Sequence, residues 1–179
     1  MPDKVTDINI DKEYTYNNIP RKSAILQILL RNTLFMASPL GKYLIEMYCP
    51  NLRKFSYIPG FIILYGNIIG TNVGLCDVFC ADYAPILLGQ NVGFSFRNML
   101  LTSSHDEEHF SIVKARPIII RDNVWITSNC TILGGVEIGE NSIIAAGSVV
   151  TKSIPPNVIA GGNPCRPIRS RRLNRDAFP

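Results

Sequence analysis

The sequence predicts a mainly β protein whose larger part is a parallel β-helix, a solenoid of short stacked strands. Three observations carry that prediction. Apolar residues recur every six positions through the second half of the chain, turn-forming residues recur between them at the same interval, and one polar insertion interrupts the period without ending it.

The first 55 or so of the 179 residues lack the period and read as helical. Ser23 is a suitable N-cap for a helix from Ala24 to Met36, Pro39 and Gly41 break the pattern, and Lys42 to Tyr48 forms a second short helix. Such helices would cap the open end of a solenoid, whose edge is otherwise a pairing hazard. The apolar stretch from Ala24 to Met47 is interrupted by Arg31, Asn32, Pro39, Gly41 and Lys42. It falls short of the roughly 20 continuous apolar residues of a membrane span, although a helix lying on a membrane surface is left open.

From about Phe61 to Ser104 a shorter and less regular set appears: Ile69-Gly70, Leu75, Leu88-Gly89, Phe94 and Leu100, with one register slip. The segment Ser103 to Arg116, SSHDEEHFSIVKAR, is polar and breaks the period. On a rigid solenoid it must project as a loop, which is where chemistry tends to sit. The period resumes at Pro117. In steps of six from Ile120 stand Ile126, Ile132, Ile138, Ile144 and Val150, all β-branched. Two residues before these stand Val124, Cys130, Val136, Ser142 and Ser148, with Arg121-Asp122-Asn123, Gly134-Gly135, Gly139-Glu140-Asn141 and Ala146-Gly147 between. Six is not a helix period; it agrees with alternation along extended chain, and the regular turn residues favour a solenoid over long strands. Each coil then buries one aliphatic column that no single repeat could bury alone. The expected organisation is a helical region over 1–55, the β-helix over 56–165 with its loop at 103–116, and an irregular basic tail over 166–179.

Composition sets the outer limits. Hydrophobic residues make up 46% and charged residues 18%, a globular balance. The net charge of +4 owes much to Arg166, Arg169, Arg171, Arg172 and Arg175. Such a cluster suits phosphorylated ligands, nucleic acid or a membrane surface, but no interleaved aromatics or known motif support nucleic acid. From Arg171 onward the expectation is a solvated tail. The five cysteines form no C-x-x-C, and the start MPDKVTDINI is polar, so a cytoplasmic protein with reduced thiols is expected.

The stretch from SSHDEEHF through NVWITSNC, GSVVTK and GNPCRPIR resembles the hexapeptide-repeat acetyltransferases, among them the maltose, galactoside and colanic-acid-type enzymes. The likeness is strong over roughly the last 80 residues, weak in the middle and slight before residue 55. It implies a left-handed β-helix and a homotrimer with acetyl-CoA sites in the clefts between subunits. It also implies transfer of acetyl to a hydroxyl of a sugar, without a metal. By the resemblance His105 is the general base, an apt group near neutral pH. Ser128 lies at the oxyanion position, Trp125 beside the acetyl-CoA cleft, Ala146 along the pantetheine arm, and Thr151, Lys152, Arg166 and Arg169 around the CoA phosphates. Asp77 stands near the acceptor-binding asparagine of the sugar enzymes, or orients His105. Asp106 is expected on the acceptor side. His109 reads as solvated or substrate-adjacent. The short loop after His105 resembles the colanic-acid type and argues for a cell-surface glycan or its precursor as acceptor. Two histidines are too few for the three-histidine zinc site of the γ-type carbonic anhydrases. An N-acetyltransferase of amino-sugar nucleotides and a non-catalytic scaffold are the competing readings.

Overall fold

The computed structural model describes residues 9–16, 38–57, 62–63 and 65–172. The helix expected over Ala24 to Met36 lies outside them. Within them the chain forms one α-helix and eighteen strands, all but a few of which wind into a parallel β-helix of triangular section.

The period of six becomes three flat faces per coil. On the first face the initial part of β4 (Ile68–Leu75), β6 (Ile86–Leu88), β11 (Ile118–Ile120) and β14 (Val136–Ile138) stack in parallel. On the second lie the end of β4, β7 (Gly93–Phe94), β12 (Trp125–Ile126), β15 (Ile143–Ile144) and β17 (Val158–Gly161). The third holds β3 (Ile62–Ile63), β5 (Val78–Ala81), β8 (Asn98–Leu101), β13 (Thr131–Leu133) and β16 (Val149–Val150). Ile118 pairs with Val136, eighteen residues or three repeats on. The predicted column Ile120, Ile126, Ile132, Ile138, Ile144 and Val150 is wholly buried. The register slip has a plain origin. Gly70 aligns with Leu88 and Cys80 with Leu100, so the earlier coil covers in ten residues what the next covers in twelve.

The first corner, between faces one and two, carries a column of asparagines: Asn72, Asn91, Asn123, Asn141 and Asn157, all with φ between 56° and 60°. Asparagine tolerates this left-handed conformation better than other side chains. Each amide donates to the next carbonyl oxygen, from Asn72 to Asn91, Asn91 to Asn123, Asn123 to Asn141 and Asn141 to Asn157, the last at 3.0 Å.

Three expectations need correction. The region before residue 55 is not simply helical. Its helix α1 spans Pro39–Tyr48, with Ser38 as N-cap and Pro39 in the first turn, where a missing N–H costs nothing. Pro39 and Gly41 therefore begin the helix instead of breaking it. Tyr14–Tyr16 is a strand, β1, and β2 (Leu52–Tyr57) already stacks in parallel on β4, so the solenoid begins near Leu52. The tail is not irregular where it starts: Arg166–Ser170 forms β18, antiparallel to β17. As an edge strand it accommodates Pro167.

Candidate active site

The insertion leaves the third corner, between faces three and one, as a hairpin. β9 (Ser103–His105) pairs antiparallel with β10 (Val113–Ala115), and β10 pairs on its other side with β1. The predicted loop is thus the core of a small three-stranded sheet. Beside it opens a cleft of about 640 Å³, lined by the hairpin, Glu13, Arg116, and Leu133 and Gly134 of the next coil. A Cβ on Gly134 would lie 2.5 Å from the Thr102 carbonyl oxygen, so glycine is needed where the hairpin leaves the prism.

His105 ends β9 with its side chain exposed on this cleft. Its Nδ1 lies 2.6 Å from the carbonyl oxygen of Phe110. A carbonyl only accepts, so Nδ1 carries the proton and donates. Neutral His105 therefore presents an Nε2 lone pair. The Phe110 ring, with its centroid 6.4 Å from the imidazole, is 76% exposed at the hairpin tip.

Asp106 lines the cleft but has work inside the hairpin. Its Oδ1 accepts from the amides of Glu108 and His109, each at 2.9 Å, and its Oδ2 pairs with Lys114 Nζ at 2.5 Å. The Lys114 ammonium and then the two amides hold the carboxyl down at about 2. Both oxygens are thus engaged within the chain, and the carboxylate also faces the cleft where its acceptor-side role was expected. Arg116 is paired as well, to Glu13 Oε2 at 2.9 Å. His109 lies exposed at the hairpin tip.

The other predicted residues divide between two places. Trp125, Ser128, Ala146, Arg166 and Arg169 follow the second face and the corner that ends it. Trp125 aligns with Ile143, Ile143 with Ile159, and Ile159 with Arg169, one row across four strands, about 14 Å at the usual strand spacing. Ser128 and Ala146 lie one coil apart at the second corner. The Ser128 carbonyl accepts from Gly147 N, and neither the Ser128 nor the Ala146 amide finds an acceptor among the described residues. Trp125 is half exposed, with its Nε1 donating to Ser95 Oγ at 3.2 Å, and Phe96 and Met99 lie exposed nearby. Arg166 and Arg169 are exposed on β18. Thr151 and Lys152 are exposed at the third corner, two coils beyond the hairpin.

Asp77 stands at the second corner, where its carbonyl accepts from Asn98 N. Within one chain it does not orient His105; the Phe110 carbonyl does. Glu13, Phe110, Lys114 and Arg116 are site residues that sequence reasoning missed. Among the described residues no group of three or more His, Cys, Asp or Glu side chains could hold a metal ion. The five cysteines are free thiols, and burial pushes Cys80, Cys130 and Cys165 up, away from reactivity. Among the described residues no helix is long and apolar enough to cross a membrane.

A solenoid of six-residue repeats with a histidine-bearing hairpin at one corner defines a class, and comparison with known proteins identifies it. The family model "Bacterial transferase hexapeptide (six repeats)" matches residues 117–152. A Saccharomyces cerevisiae protein bearing a provisional acetyltransferase name is 33% identical over 94% of this chain and 89% of its own. The crystal structure of a maltose O-acetyltransferase from Clostridium difficile 630 superposes with a TM-score of 0.76 at 34% identity, covering 83% of this chain and 84% of that one. A hexapeptide-repeat acetyltransferase from Vibrio cholerae O1, solved with acetyl-CoA, has a TM-score of 0.72 at 28% identity over 83% and 85% of the two chains. The chain belongs to the hexapeptide-repeat acetyltransferase family.

Proposed function

We propose that this protein transfers the acetyl group of acetyl-CoA to a hydroxyl of an uncharged sugar, with His105 as general base. The observation that carries the reading is the bond from His105 Nδ1 to the Phe110 carbonyl, which leaves Nε2 unprotonated at an open cleft. Nε2 takes the proton of the acceptor hydroxyl as its oxygen attacks the thioester carbonyl. The Ser128 amide receives the oxyanion that forms, and the departing CoA thiolate recovers the proton from His105.

His105 and Ser128 occupy different corners of one prism, so this chemistry needs a second copy. A homotrimer of left-handed prisms, as the family resemblance implies, sets the hairpin corner of one subunit against the second face of its neighbour. The exposed apolar side chains Trp125 on that face and Phe96 at the corner that ends it favour such a contact. Acetyl-CoA then lies along the row from Trp125 past Ala146 to Arg166 and Arg169. Its phosphates meet those arginines and, from the neighbour, Thr151 and Lys152. Asp77 reaches the acceptor from the neighbouring subunit in the same arrangement. The site works in the cytoplasm, where the donor is made.

The cleft supports an uncharged acceptor, such as a cell-surface glycan precursor. Its lining carries Glu13, Asp106, Glu107 and Glu108 against Lys114 and Arg116, and both cations are already paired. This excess of carboxylates repels the diphosphate of a nucleotide sugar, which disfavours the N-acetyltransferase alternative. Calorimetric titration with acetyl-CoA, on the wild type and on the Arg166→Ala, Arg169→Ala double variant, tests the donor half. Binding that weakens in the double variant supports it. No binding to the wild type sinks it and favours a non-catalytic scaffold.

A further inference from the structure

The strand pairing of the hairpin ends at His105 on one side and resumes at Val113 on the other, so it does not itself place the carbonyl that holds His105. Between them the turn 106–112 is shaped by four hydrogen bonds. Asp106 N donates to Ile112 O, Ile112 N to His109 O, and the amides of Glu108 and His109 both donate to Asp106 Oδ1. Half of these converge on one carboxylate. Its other oxygen is gripped by Lys114, whose backbone is fixed twice, opposite Ser104 on β9 and opposite Thr15 on β1. Phe110 lies inside the turn so held, and its carbonyl meets His105 Nδ1.

We propose that Asp106 and Lys114 are positioning residues that set the tautomer of His105. By locking the turn they press the Phe110 carbonyl against Nδ1, fix the proton there and leave Nε2 open. Without the carboxylate the Glu108 and His109 amides turn to water, the turn relaxes, and the Phe110 carbonyl withdraws. An imidazole free of such a partner prefers its proton on Nε2, and then the nitrogen that faces the cleft cannot accept one from a substrate. The ion pair therefore acts on the base through the backbone of the turn, although both side chains also line the cleft. The proposal rests on the reading of His105 as the base, but its central claim is a tautomer, measurable without any acceptor.

The chain has only two histidines, so long-range proton–nitrogen spectra of the 15N-histidine-labelled full-length protein resolve both, and a His109→Gln variant assigns them. At a pH where the rings are neutral, His105 should show a protonated Nδ1 and a bare Nε2. Asp106→Ala and Lys114→Met should move it toward the Nε2-protonated pattern. Asp106→Asn, whose oxygen still accepts from the two amides, should fall between. In parallel, kcat should drop about 10- to 100-fold, the scale for lost supporting contacts, with acetyl-CoA affinity unchanged. If Asp106→Ala fails to fold, Lys114→Met and Asp106→Asn carry the test. A wild-type His105 protonated on Nε2, or folded Lys114→Met with an unchanged His105 pattern, overturns the proposal. A tautomer that shifts as expected in a protein without acetyl transfer would keep the positioning role and sink the functional reading instead.

Discussion

Arg171 Nη1 donates to the main-chain carbonyl of Asn141 at 3.0 Å, and the same nitrogen reaches the carbonyl of Asn123 at 3.3 Å. The Arg171 amide adds a bond to Asn157 O at 2.8 Å. One arginine thus staples the chain beyond β18 to three successive rungs of the asparagine column. The tail that composition suggests is merely solvated is anchored at its first residue, and the anchor keeps β18, with Arg166 and Arg169, on the second face.

Arg171→Ala should therefore lower stability by about 1–3 kcal/mol, the range for lost hydrogen bonds from a charged donor. Urea denaturation would show it. Arg171→Lys should recover little, because an ammonium on a different stem does not reproduce the guanidinium's geometry. Acetyl-CoA affinity should weaken in step as β18 loosens. A variant with wild-type stability would show that strand pairing alone secures the end of the chain.

His105→Ala removes the one imidazole among the described residues that line the cleft. Turnover should fall by roughly 10²- to 10⁴-fold, the usual contribution of a general base. Acetyl-CoA affinity, which the proposed function assigns to the second face, should stay within about twofold by calorimetry. Loss of both would mean that His105 holds the donor instead of activating the acceptor.

The solenoid was legible in the sequence because its period, one buried β-branched residue in six, is local and repeated. The insertion was legible because it breaks that period, and His105 stood out as the candidate base because it sits in a specific motif. What escaped was set by distant pairing. The strand Tyr14–Tyr16 is three residues long and joins Val113–Ala115 from the far end of the chain, so no local pattern announces it or the arrival of Glu13 at the cleft. Arg166–Ser170 is exposed on every residue and contains Pro167, which argues against a strand until an edge position is known. Pro39 reads equally as a breaker or a first-turn residue, and only the Ser38 cap decides. Asn123 and Asn141 were visible as turn residues, yet their stacking depends on coil register, which the sequence shows only where the period is unbroken.

The ion pair at the hairpin has a defined pH window. Asp106 is held at about 2 in the folded protein, against ~3.9 for a free aspartate. A depressed carboxyl adds stability above its unfolded value and loses it as pH falls through the folded value. Lys114 is raised by the same partner, so its share is present at lower pH and is lost as pH rises through its elevated value. The pair's full stabilisation should thus span about pH 4 to beyond pH 10 and fade outside those limits, while the pair itself opens only as pH approaches about 2. The side-chain carboxyl carbon of Asp106, followed by NMR, should remain in its ionised position at pH 3, where an ordinary aspartate is mostly protonated. A midpoint near 4 would mean that the contact with Lys114 does not persist in solution.

Gly134 is where the site and the solenoid compete for space. A Cβ there meets the Thr102 carbonyl oxygen at 2.5 Å and that of Arg116 at 2.9 Å, both backbone atoms and both at the points where the hairpin leaves and rejoins the prism. Neither can yield like the end of a flexible side chain, because Thr102 N and Oγ1 are tied to the Ala81 carbonyl and Arg116 N to the Thr102 carbonyl itself. Gly134→Ala must therefore spread the third corner, at a cost of about 1–3 kcal/mol for an overpacked position. The displacement falls on the base of the hairpin, so in the proposed trimer His105 should move relative to the neighbour's second face while its bond to the Phe110 carbonyl, internal to the hairpin, survives. The expected signature is lower kcat with an unaltered His105 tautomer, the opposite pairing to Lys114→Met. Unfolding curves, turnover and histidine spectra on the two variants would separate the placement of the hairpin from the orientation of its histidine. Wild-type turnover in Gly134→Ala would show that the corner can spread without moving the site.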